Sequence, residues 1–193
     1  MDLKQIVEDA RQEHIPLLLD ETAEFLLNFL KDKNFKNILE IGTAVGYSGI
    51  LFLQNQPRAF LTTIDINEKM QNIAKQNFKK FNVEKRVKLI KGDAKDVLSS
   101  FNQKFDLIFL DGPKGQYIKY LPQLKLLLDK NGFLIADNIF FHGKVRAEGF
   151  VPHKHRTIVV NLRKFIDAIE NDEMLMTQIY DIGDGISISK LKK

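Results

Sequence analysis

The chain has 193 residues, 44% hydrophobic and 28% charged, a composition that suits one well-cored globular domain and is short for two. It contains no cysteine, which excludes a disulfide framework, a thiolate zinc site and a cysteine nucleophile. The formal net charge of +4 is mild, and lysines that keep a surface soluble account for such a charge more often than nucleic-acid binding does.

The N-terminal sequence "MDLKQIVEDARQEHIP" is charged throughout and has no apolar core, so it does not predict a signal peptide. No apolar run approaches the length of a membrane span. No repeat, low-complexity tract or linker interrupts the chain. We therefore expect one domain over residues 1–193, in the cytoplasm and without a membrane partner.

Two amphipathic helices are predicted first, and strands then alternate with helices. The helices at the N-terminus cover residues 2–13 and 16–31. The short apolar strands cover residues 37–42, 59–66, 87–93, 105–111 and 132–139. The helices between and after them cover residues 46–56, 67–82, 94–101, 116–130 and, after a longer connection, 157–172.

Short apolar strands separated by helices predict a parallel sheet that is covered on both faces. The last part of the chain differs, because two strand-like segments flank "GDG" at residues 183–185, which is typical of a tight hairpin turn. The predicted fold is therefore α/β, with a mostly parallel sheet that ends in an antiparallel pair.

The first strand leads into the glycine loop "EIGTAVGYS", Glu40 to Ser48. Gly42 and Gly46 allow the backbone to turn tightly and to approach a ligand. The dinucleotide fingerprint needs a further glycine where this chain has Thr43. The loop therefore disfavours the pyrophosphate of NAD and fits a nucleoside without phosphates.

Acidic residues follow the second and third strands. Asp65 lies where an acid accepts hydrogen bonds from a ribose diol. Asp93 and the amide of Ala94 could bind an adenine edge, although Asp93 is equally well explained as a helix N-cap. Together with the glycine loop, these residues outline a pocket for an adenosine-like group.

Asp111 ends the fourth strand, and Asp137 with Asn138 ends the fifth. We expect these strands to be neighbours, which brings two carboxylates and an amide oxygen together. A hard cation such as Mg²⁺, Mn²⁺ or Ca²⁺ prefers such oxygen ligands and relieves the repulsion between the acids. The alternative is that Asp137 and Asn138 are only turn residues.

Six segments together resemble the class I S-adenosylmethionine-dependent O-methyltransferases of the catechol O-methyltransferase type, O-methyltransferase family 3. They are "EIGTAVGYS", "TIDIN", "KGDA", "FLDGPKGQY", "ADNIFFHG" and "GDGISISK". The resemblance runs from about residue 16 to the C-terminus and implies a Rossmann-like fold with a seven-stranded sheet. Within the family, the chain is most similar to bacterial enzymes that methylate 5-hydroxyuridine at the tRNA wobble position.

The resemblance implies that S-adenosylmethionine is bound mainly by the loops after the first three strands. The expected cofactor-binding residues are Leu18, Glu40, Gly42, Thr43, Gly46, Tyr47, Ser48, Asp65, Asp93, Ala94 and Asp111. The glycine loop would hold the methionine portion, Asp65 the ribose, and Asp93 with Ala94 the adenine.

The resemblance also implies a Mg²⁺ site, or one for Mn²⁺ or Ca²⁺, formed by Asp111, Asp137 and Asn138. Lys114 and Asp111 are the expected catalytic residues. Lys114 matches a lysine near the acceptor oxygen, which would either take the proton of the acceptor or stabilise its negative charge.

A basic connection after Asn138 bears on the acceptor. It carries candidate RNA contacts among phenylalanines that could stack on an unpaired base, namely Lys144, Arg146, Lys154 and Arg156. The alternative is a solvated loop whose phenylalanines pack on the core. The histidines at 153 and 155 are assigned no metal.

Three hypotheses follow. The first is a tRNA O-methyltransferase that converts 5-hydroxyuridine to 5-methoxyuridine. The second is an O-methyltransferase for small catechol-like phenols, which shares every cofactor and metal residue. The third is a binding protein without the reaction, which the intact acid cluster and Lys114 disfavour. The resemblance further implies a homodimer.

Overall fold

The computed structural model describes residues 3–192. Two helices open it, α1 over Lys4–Gln12 and α2 over Asp20–Leu30. The first predicted helix includes Asp2, which lies outside the described residues. The second begins four residues later than predicted, because the chain is still extended at Leu19 and the acidic first turn that favours a helix N-terminus starts only at Asp20.

Seven strands and five more helices follow. The strands are β1 Asn37–Ile41, β2 Phe60–Asp65, β3 Val87–Lys91, β4 Phe105–Leu110, β5 Leu128–Ala136, β6 Leu175–Tyr180 and β7 Ile186–Leu191. The helices are α3 Tyr47–Asn55, α4 Glu68–Lys80, α5 Ala94–Val97, α6 Tyr117–Leu127 and α7 His153–Glu170. Short 3₁₀ helices cover Glu84–Arg86, Leu98–Ser100 and Lys114–Gln116.

The chain divides into two compact units, the first ending at Ala94 and the second beginning at Lys95. In the first unit, β2 pairs in parallel with both β1 and β3. β1 buries its apolar side chains almost completely, as at Ile38 and Leu39, and so does β2 after the exposed Phe60, whereas the apolar residues of β3 are half-buried. Such burial on both faces is what the continuous apolar runs predict for a parallel sheet.

In the second unit, β4 and β5 are parallel, β7 is antiparallel to β5, and β6 is antiparallel to β7. The strand order is β3-β2-β1 in the first unit and β4-β5-β7-β6 in the second. The predicted fold class, a mostly parallel sheet that ends in an antiparallel hairpin, is confirmed. One domain over residues 1–193 stays a prediction.

The boundary between α6 and β5 was predicted wrongly. The helix ends at Leu127 instead of residue 130, and the strand begins at Leu128 instead of residue 132. Gly132, where the strand was predicted to begin, lies inside β5. A Cβ atom there would lie 2.9 Å from the carbonyl oxygen of Phe105, so glycine permits the close approach of the neighbouring strand.

The start of α7 was also predicted wrongly. The helix begins at His153, directly after Pro152, and not at residue 157. Its first turn is entirely polar and basic, so apolar periodicity reveals the helix only from Val159 onward. Lys154 and Arg156, which were predicted to lie on the loop, belong to this first turn.

None of the helices within residues 3–192 combines the length and the apolar character needed to cross a bilayer. This agrees with the absence of long apolar runs in the sequence. Localisation in the cytoplasm stays a prediction.

Candidate active site

Glu40 is the buried centre of a hydrogen-bond network in the first unit. Its side chain has no exposed surface. Oε1 accepts a hydrogen bond from Ser48 Oγ at 2.5 Å, and Oε2 accepts one from Thr63 Oγ1 at 2.6 Å. Since the hydroxyl of Thr63 donates to Glu40, the Thr43 hydroxyl must donate the 2.6 Å bond that joins the two threonines. The network fixes the end of β1 to the glycine loop.

The glycine loop has the left-handed backbone that its sequence suggests. Gly42 has φ 103° and Gly46 has φ 83°, and Ala44 between them has φ 43°. At Gly46 a Cβ atom would lie 3.0 Å from Cζ of Phe78 and 3.2 Å from Cβ of Ala74. Gly46 is therefore required by its backbone conformation and by the packing of α4 against the loop.

Asp65 closes the other side of this loop. Its Oδ2 accepts a hydrogen bond from the amide of Ala44 at 2.9 Å, and its Oδ1 accepts one from the amide of Asn67 at 2.8 Å. Each carboxylate oxygen retains a further lone pair. The carboxylate is thus held rigidly at the end of β2 and keeps the capacity to accept hydrogen bonds from a diol.

The remaining predicted cofactor residues of the first unit differ in exposure. Tyr47 is half-buried at the start of α3, and burial, followed by the charge of Asp20, raises the pKa of its phenol. Leu18 and Ala94 are buried, whereas Asp93 is exposed immediately before α5. The structure therefore joins Glu40, Thr43 and Ser48 in one network and links Asp65 to the loop through the amide of Ala44.

The second unit brings the predicted acids together. Leu110 at the end of β4 pairs with Ala136 at the end of β5, and the amide of Asp137 donates to the carbonyl of Leu110 at 3.0 Å. Asp111 and Asp137 therefore leave neighbouring parallel strands at the same level. The expectation that these strands are neighbours is confirmed.

Burial and mutual repulsion act on both carboxyls. Burial, and after it the charge of Asp111, raises the pKa of Asp137 to about 7. Burial also raises the pKa of Asp111, against the opposing effect of Lys114. Lys114 Nζ donates to Asp111 Oδ1 at 2.7 Å, and about a fifth of each side chain remains exposed. The positive charge of Lys114 thus partly offsets the negative charges of both carboxylates.

Asp137 lacks a partner for one of its oxygens. Oδ1 accepts a hydrogen bond from the amide of Asn138 at 2.7 Å. Oδ2 is buried, and no donor among residues 3–192 reaches it. A buried carboxylate oxygen without a partner is costly. The adjacent Asn138 has a left-handed backbone with φ 55°, which costs free energy for a residue other than glycine.

These residues fit a hard divalent cation. The candidate ligands are the carboxylates of Asp111 and Asp137, of which one oxygen is buried without a partner, and the amide side chain of Asn138. Within residues 3–192 no group of three or more His, Cys, Asp or Glu side chains is suited to a metal ion. Mg²⁺ can bind to so few protein ligands, because it usually keeps several waters.

Tyr117 supports the cluster and was not identified from the sequence. Its buried hydroxyl lies 3.2 Å from the carbonyl oxygens of both Leu110 and Asp137. Burial, and then the charges of the two acids, raises the pKa of this phenol well above its usual value. The tyrosine remains a neutral donor that ties the ends of β4 and β5 together. Its position at the end of "KGQY", one turn after Lys114, is the sequence feature that could have identified it.

Asp184 in the hairpin turn is a second residue that the sequence did not identify. Its carboxylate accepts from the amides of His142 at 2.7 Å and Gly143 at 3.4 Å. The backbone of Gly185 also approaches Phe140 so closely that a Cβ atom would lie 2.2 Å from the ring. The "GDG" segment therefore holds the loop after Asn138, in addition to turning the chain.

The candidate RNA contacts separate into different environments. Arg146 pairs with Asp181 at 2.8 Å, and its guanidinium carbon lies 3.4 Å from the ring centroid of Phe140. Lys144 Nζ lies 5.4 Å from the ring centroid of Phe141. Lys154 and Arg156 are exposed in the first turn of α7. The buried Phe140 packs on the core, as the solvated-loop alternative expects, whereas Phe150 is 86% exposed.

Comparison with known proteins assigns the family. The O-methyltransferase family model matches residues 2–192. A caffeoyl-CoA O-methyltransferase from Populus trichocarpa is 28% identical over 182 residues, which cover 88% of this chain and 72% of that protein.

Solved structures agree with this assignment. A Staphylococcus aureus protein described as a candidate caffeoyl-CoA O-methyltransferase has a TM-score of 0.92 at 30% identity, covering 100% of this chain and 93% of its own. The SAH-bound methyltransferase PaMTH1 from Podospora anserina has a TM-score of 0.89 at 26% identity, covering 99% and 88%. The prediction of an O-methyltransferase is confirmed, and the chain belongs to the O-methyltransferase family.

Proposed function

We propose that this enzyme transfers a methyl group from S-adenosylmethionine to a hydroxyl oxygen of a small catechol-like phenol, with the help of a divalent cation. The observation that carries the proposal is the buried Asp137, whose unpartnered oxygen lies at the end of a strand beside Asp111. The similarity to caffeoyl-CoA O-methyltransferases supports a phenolic acceptor.

The residues of the first unit fit the methyl donor. Asp65 keeps lone pairs for the ribose hydroxyls, and the left-handed loop from Gly42 to Gly46 leaves room for close approach of the methionine portion. The carboxylate of Glu40 fixes the side chains of Thr63 and Ser48 by accepting a hydrogen bond from each. When bound, S-adenosylmethionine supplies an electrophilic sulfonium methyl group, and transfer of that group to oxygen leaves a neutral thioether.

Asp111, Asp137 and Asn138 would hold Mg²⁺, or Mn²⁺ or Ca²⁺ in its place. A hard divalent cation supplies positive charge that lowers the pKa of a nearby hydroxyl group. Tyr117 keeps the two strand ends at a fixed spacing, because its hydroxyl lies within hydrogen-bond distance of a carbonyl at each of them. These residues contribute orientation and electrostatics, which are the main requirements of an in-line methyl transfer.

Lys114 has an electrostatic role in this proposal. Its Nζ donates to Asp111, and as an ammonium ion paired with that carboxylate it would have no lone pair with which to accept the proton of the acceptor. It stabilises the negative charge that develops on the acceptor oxygen, and the proton leaves to water. The 3₁₀ turn that carries Lys114 is tied to α7, because Asn161 Nδ2 donates to the carbonyl of Gly115 at 2.8 Å.

The tRNA acceptor remains the second candidate. The observation that favours it is the exposed Phe150 within a stretch that also carries exposed basic side chains. An aromatic ring and cations are the usual means of holding an unpaired base and its phosphates. The homodimer stays a prediction, as do the roles of the individual site residues.

One experiment separates the two acceptors. The purified full chain is incubated with S-adenosylmethionine and Mg²⁺, and with either caffeoyl-CoA or tRNA that carries 5-hydroxyuridine. Products are identified by mass spectrometry. We expect a methoxyphenol, whose formation is lost in Asp137→Asn and retained in Asp129→Asn, a matched carboxylate-to-amide change elsewhere on β5. Methylation of the tRNA alone would establish the second candidate.

A further inference from the structure

Phe141 is surrounded by potentially cationic side chains. Its ring centroid lies 5.4 Å from that of His142, 5.3 Å from that of His155 and 5.4 Å from Lys144 Nζ. His155 comes from α7, whereas the other three residues belong to the loop after Asn138. Two separate elements therefore direct basic groups at one half-buried aromatic ring.

Within residues 3–192, His142, Lys144, Lys154 and His155 form no ion pair. Asp184 of the hairpin directs its carboxylate oxygens to the backbone amides of residues 142 and 143. The described residues therefore leave these basic side chains without a salt bridge.

The like charges are close enough to affect one another. Partial burial, and then the charges of Lys154, Lys144 and His142, lowers the pKa of His155 below its usual range. The first turn of α7 adds to the conflict, since it contains no acidic residue and cations are disfavoured at the positive end of a helix dipole. An anion bound at this group would relieve the repulsion and favour the protonated form of His155.

We infer that His142, Lys144 and His155, arranged around Phe141, form a subsite for a phosphate group of the methyl acceptor. Phosphate is the anion that suits several convergent donors. The inference rests on the proposed function, because it places the subsite on the loop that begins at Asn138. The amide of Phe141 donates to the carbonyl of Asn138 at 3.2 Å, so the ring directly follows the proposed metal ligand.

The same geometry leaves Arg146 outside the subsite. Its guanidinium group is engaged by Asp181 and lies on Phe140 instead of Phe141. Lys144 and Arg146 are two residues apart and each carries one positive charge, so they form a matched pair for mutagenesis. If the phosphate binds at a defined subsite, the two substitutions should change the affinity unequally. If it is attracted only by a diffuse positive surface, they should change the affinity equally.

The phosphate could belong to a small nucleotide-bearing thioester or to RNA, and the probes distinguish these sources. Coenzyme A and a short single-stranded RNA are titrated into the full chain by calorimetry, without a methyl donor. We expect Lys144→Gln to weaken binding of at least one probe about tenfold, which corresponds to one charge-assisted hydrogen bond. Arg146→Gln should change the affinity less than twofold. Binding of coenzyme A alone indicates the small acceptor, and binding of RNA alone indicates the nucleic acid.

Histidine side-chain NMR gives a second readout with inorganic phosphate as the probe. We expect phosphate to raise the pKa of His155 and to leave the side-chain resonances of His14, in the first unit, unchanged. If Lys144→Gln and Arg146→Gln weaken binding equally, or if phosphate does not affect His155, the inference is overturned. Neither the calorimetry nor the phosphate titration uses a methyl donor, so failure of the subsite is distinguishable from failure of the proposed function, which methylation of free catechol by the wild type tests.

Discussion

The carboxyl of Asp137 is fully buried, and its pKa is raised to about 7 by burial and by Asp111. Its usual value is 3.8. Between these two pKa values the folded state binds a proton that the unfolded state has released. The stabilisation that protonation of this group gives to the metal-free protein is therefore complete below about pH 4. That stabilisation is lost as the pH rises towards 7.

The metal-free wild type should therefore become less stable as the pH increases. From pH 5 to pH 8 we expect the free energy of unfolding to fall by roughly 2–3 kcal/mol more in the wild type than in Asp137→Asn, at about 1.4 kcal/mol per pKa unit. Urea denaturation in the presence of a chelator measures this difference. Asp129→Asn should keep the wild-type slope, and an equal slope in Asp137→Asn would refute the titration of Asp137.

Lys114 offers a test of charge against proton transfer. Lys114→Gln should lower the rate of methyl transfer by about 10- to 100-fold, because the charge that stabilises the acceptor oxygen is lost. Lys114→Arg should retain clearly more activity, since an arginine keeps the charge but does not deprotonate. Single-turnover rates at saturating S-adenosylmethionine report on this step. Equal losses in both variants would favour a general base instead.

At the scale of elements, the glycine loop joins β1 to α3 under two constraints that reinforce each other. Gly46 is left-handed, and α4 packs on it through Ala74 and Phe78. Gly143 is also left-handed, with φ 71°, but no atom lies within 4 Å of the position of its missing Cβ. Replacing each of the two glycines by alanine therefore distinguishes the cost of a strained backbone from the cost of a steric clash.

Gly46→Ala should destabilise the fold by about 2–4 kcal/mol, the sum of left-handed strain and overpacking against Phe78. Gly143→Ala should cost only the strain, about 1–2 kcal/mol. Urea midpoints of the two variants provide the comparison. Equal destabilisation by the two changes would mean that α4 moves away from the loop without cost.

The elements that the sequence predicted well are those whose signal is local. Apolar runs identify all seven strands, and the acids that follow β4 and β5 could be placed together from strand order alone. The start of α7 escaped detection, because its first turn has no apolar residue. Gly132 suggested a strand boundary, whereas it accommodates the carbonyl of Phe105 inside β5.

The supporting residues of the site depend on contacts between distant parts of the chain and could not be predicted. Tyr117 reaches the carbonyl of Asp137, and Asp184 reaches the amide of His142. Arg146 was grouped with the other basic residues by charge, but Asp181 pairs with it in the structure. Sequence pattern identified the groups that could carry chemistry, and tertiary contacts determine which of them are already engaged.

At the scale of the whole molecule, a cation that binds the folded state stabilises it by mass action. We expect Mg²⁺ at about 100 times its Kd to raise the stability of the wild type by about 2.7 kcal/mol at pH 8. Asp137→Asn should show almost no stabilisation. Chelation should also abolish methylation, and added Mg²⁺ should restore it. Thermal unfolding with and without Mg²⁺ tests the binding independently of activity, and an equal response of both proteins would exclude a metal at these acids.

The central claim is that the acid cluster activates a phenolic hydroxyl for methylation. The most direct measurement is mass spectrometry of the product formed from caffeoyl-CoA, S-adenosylmethionine and Mg²⁺ by the wild type, Asp137→Asn and Asp129→Asn. Our account predicts that the wild type and Asp129→Asn form a methoxyphenol and that Asp137→Asn forms at least about 100-fold less. Equal product with Asp137→Asn, or none with the wild type, would contradict it.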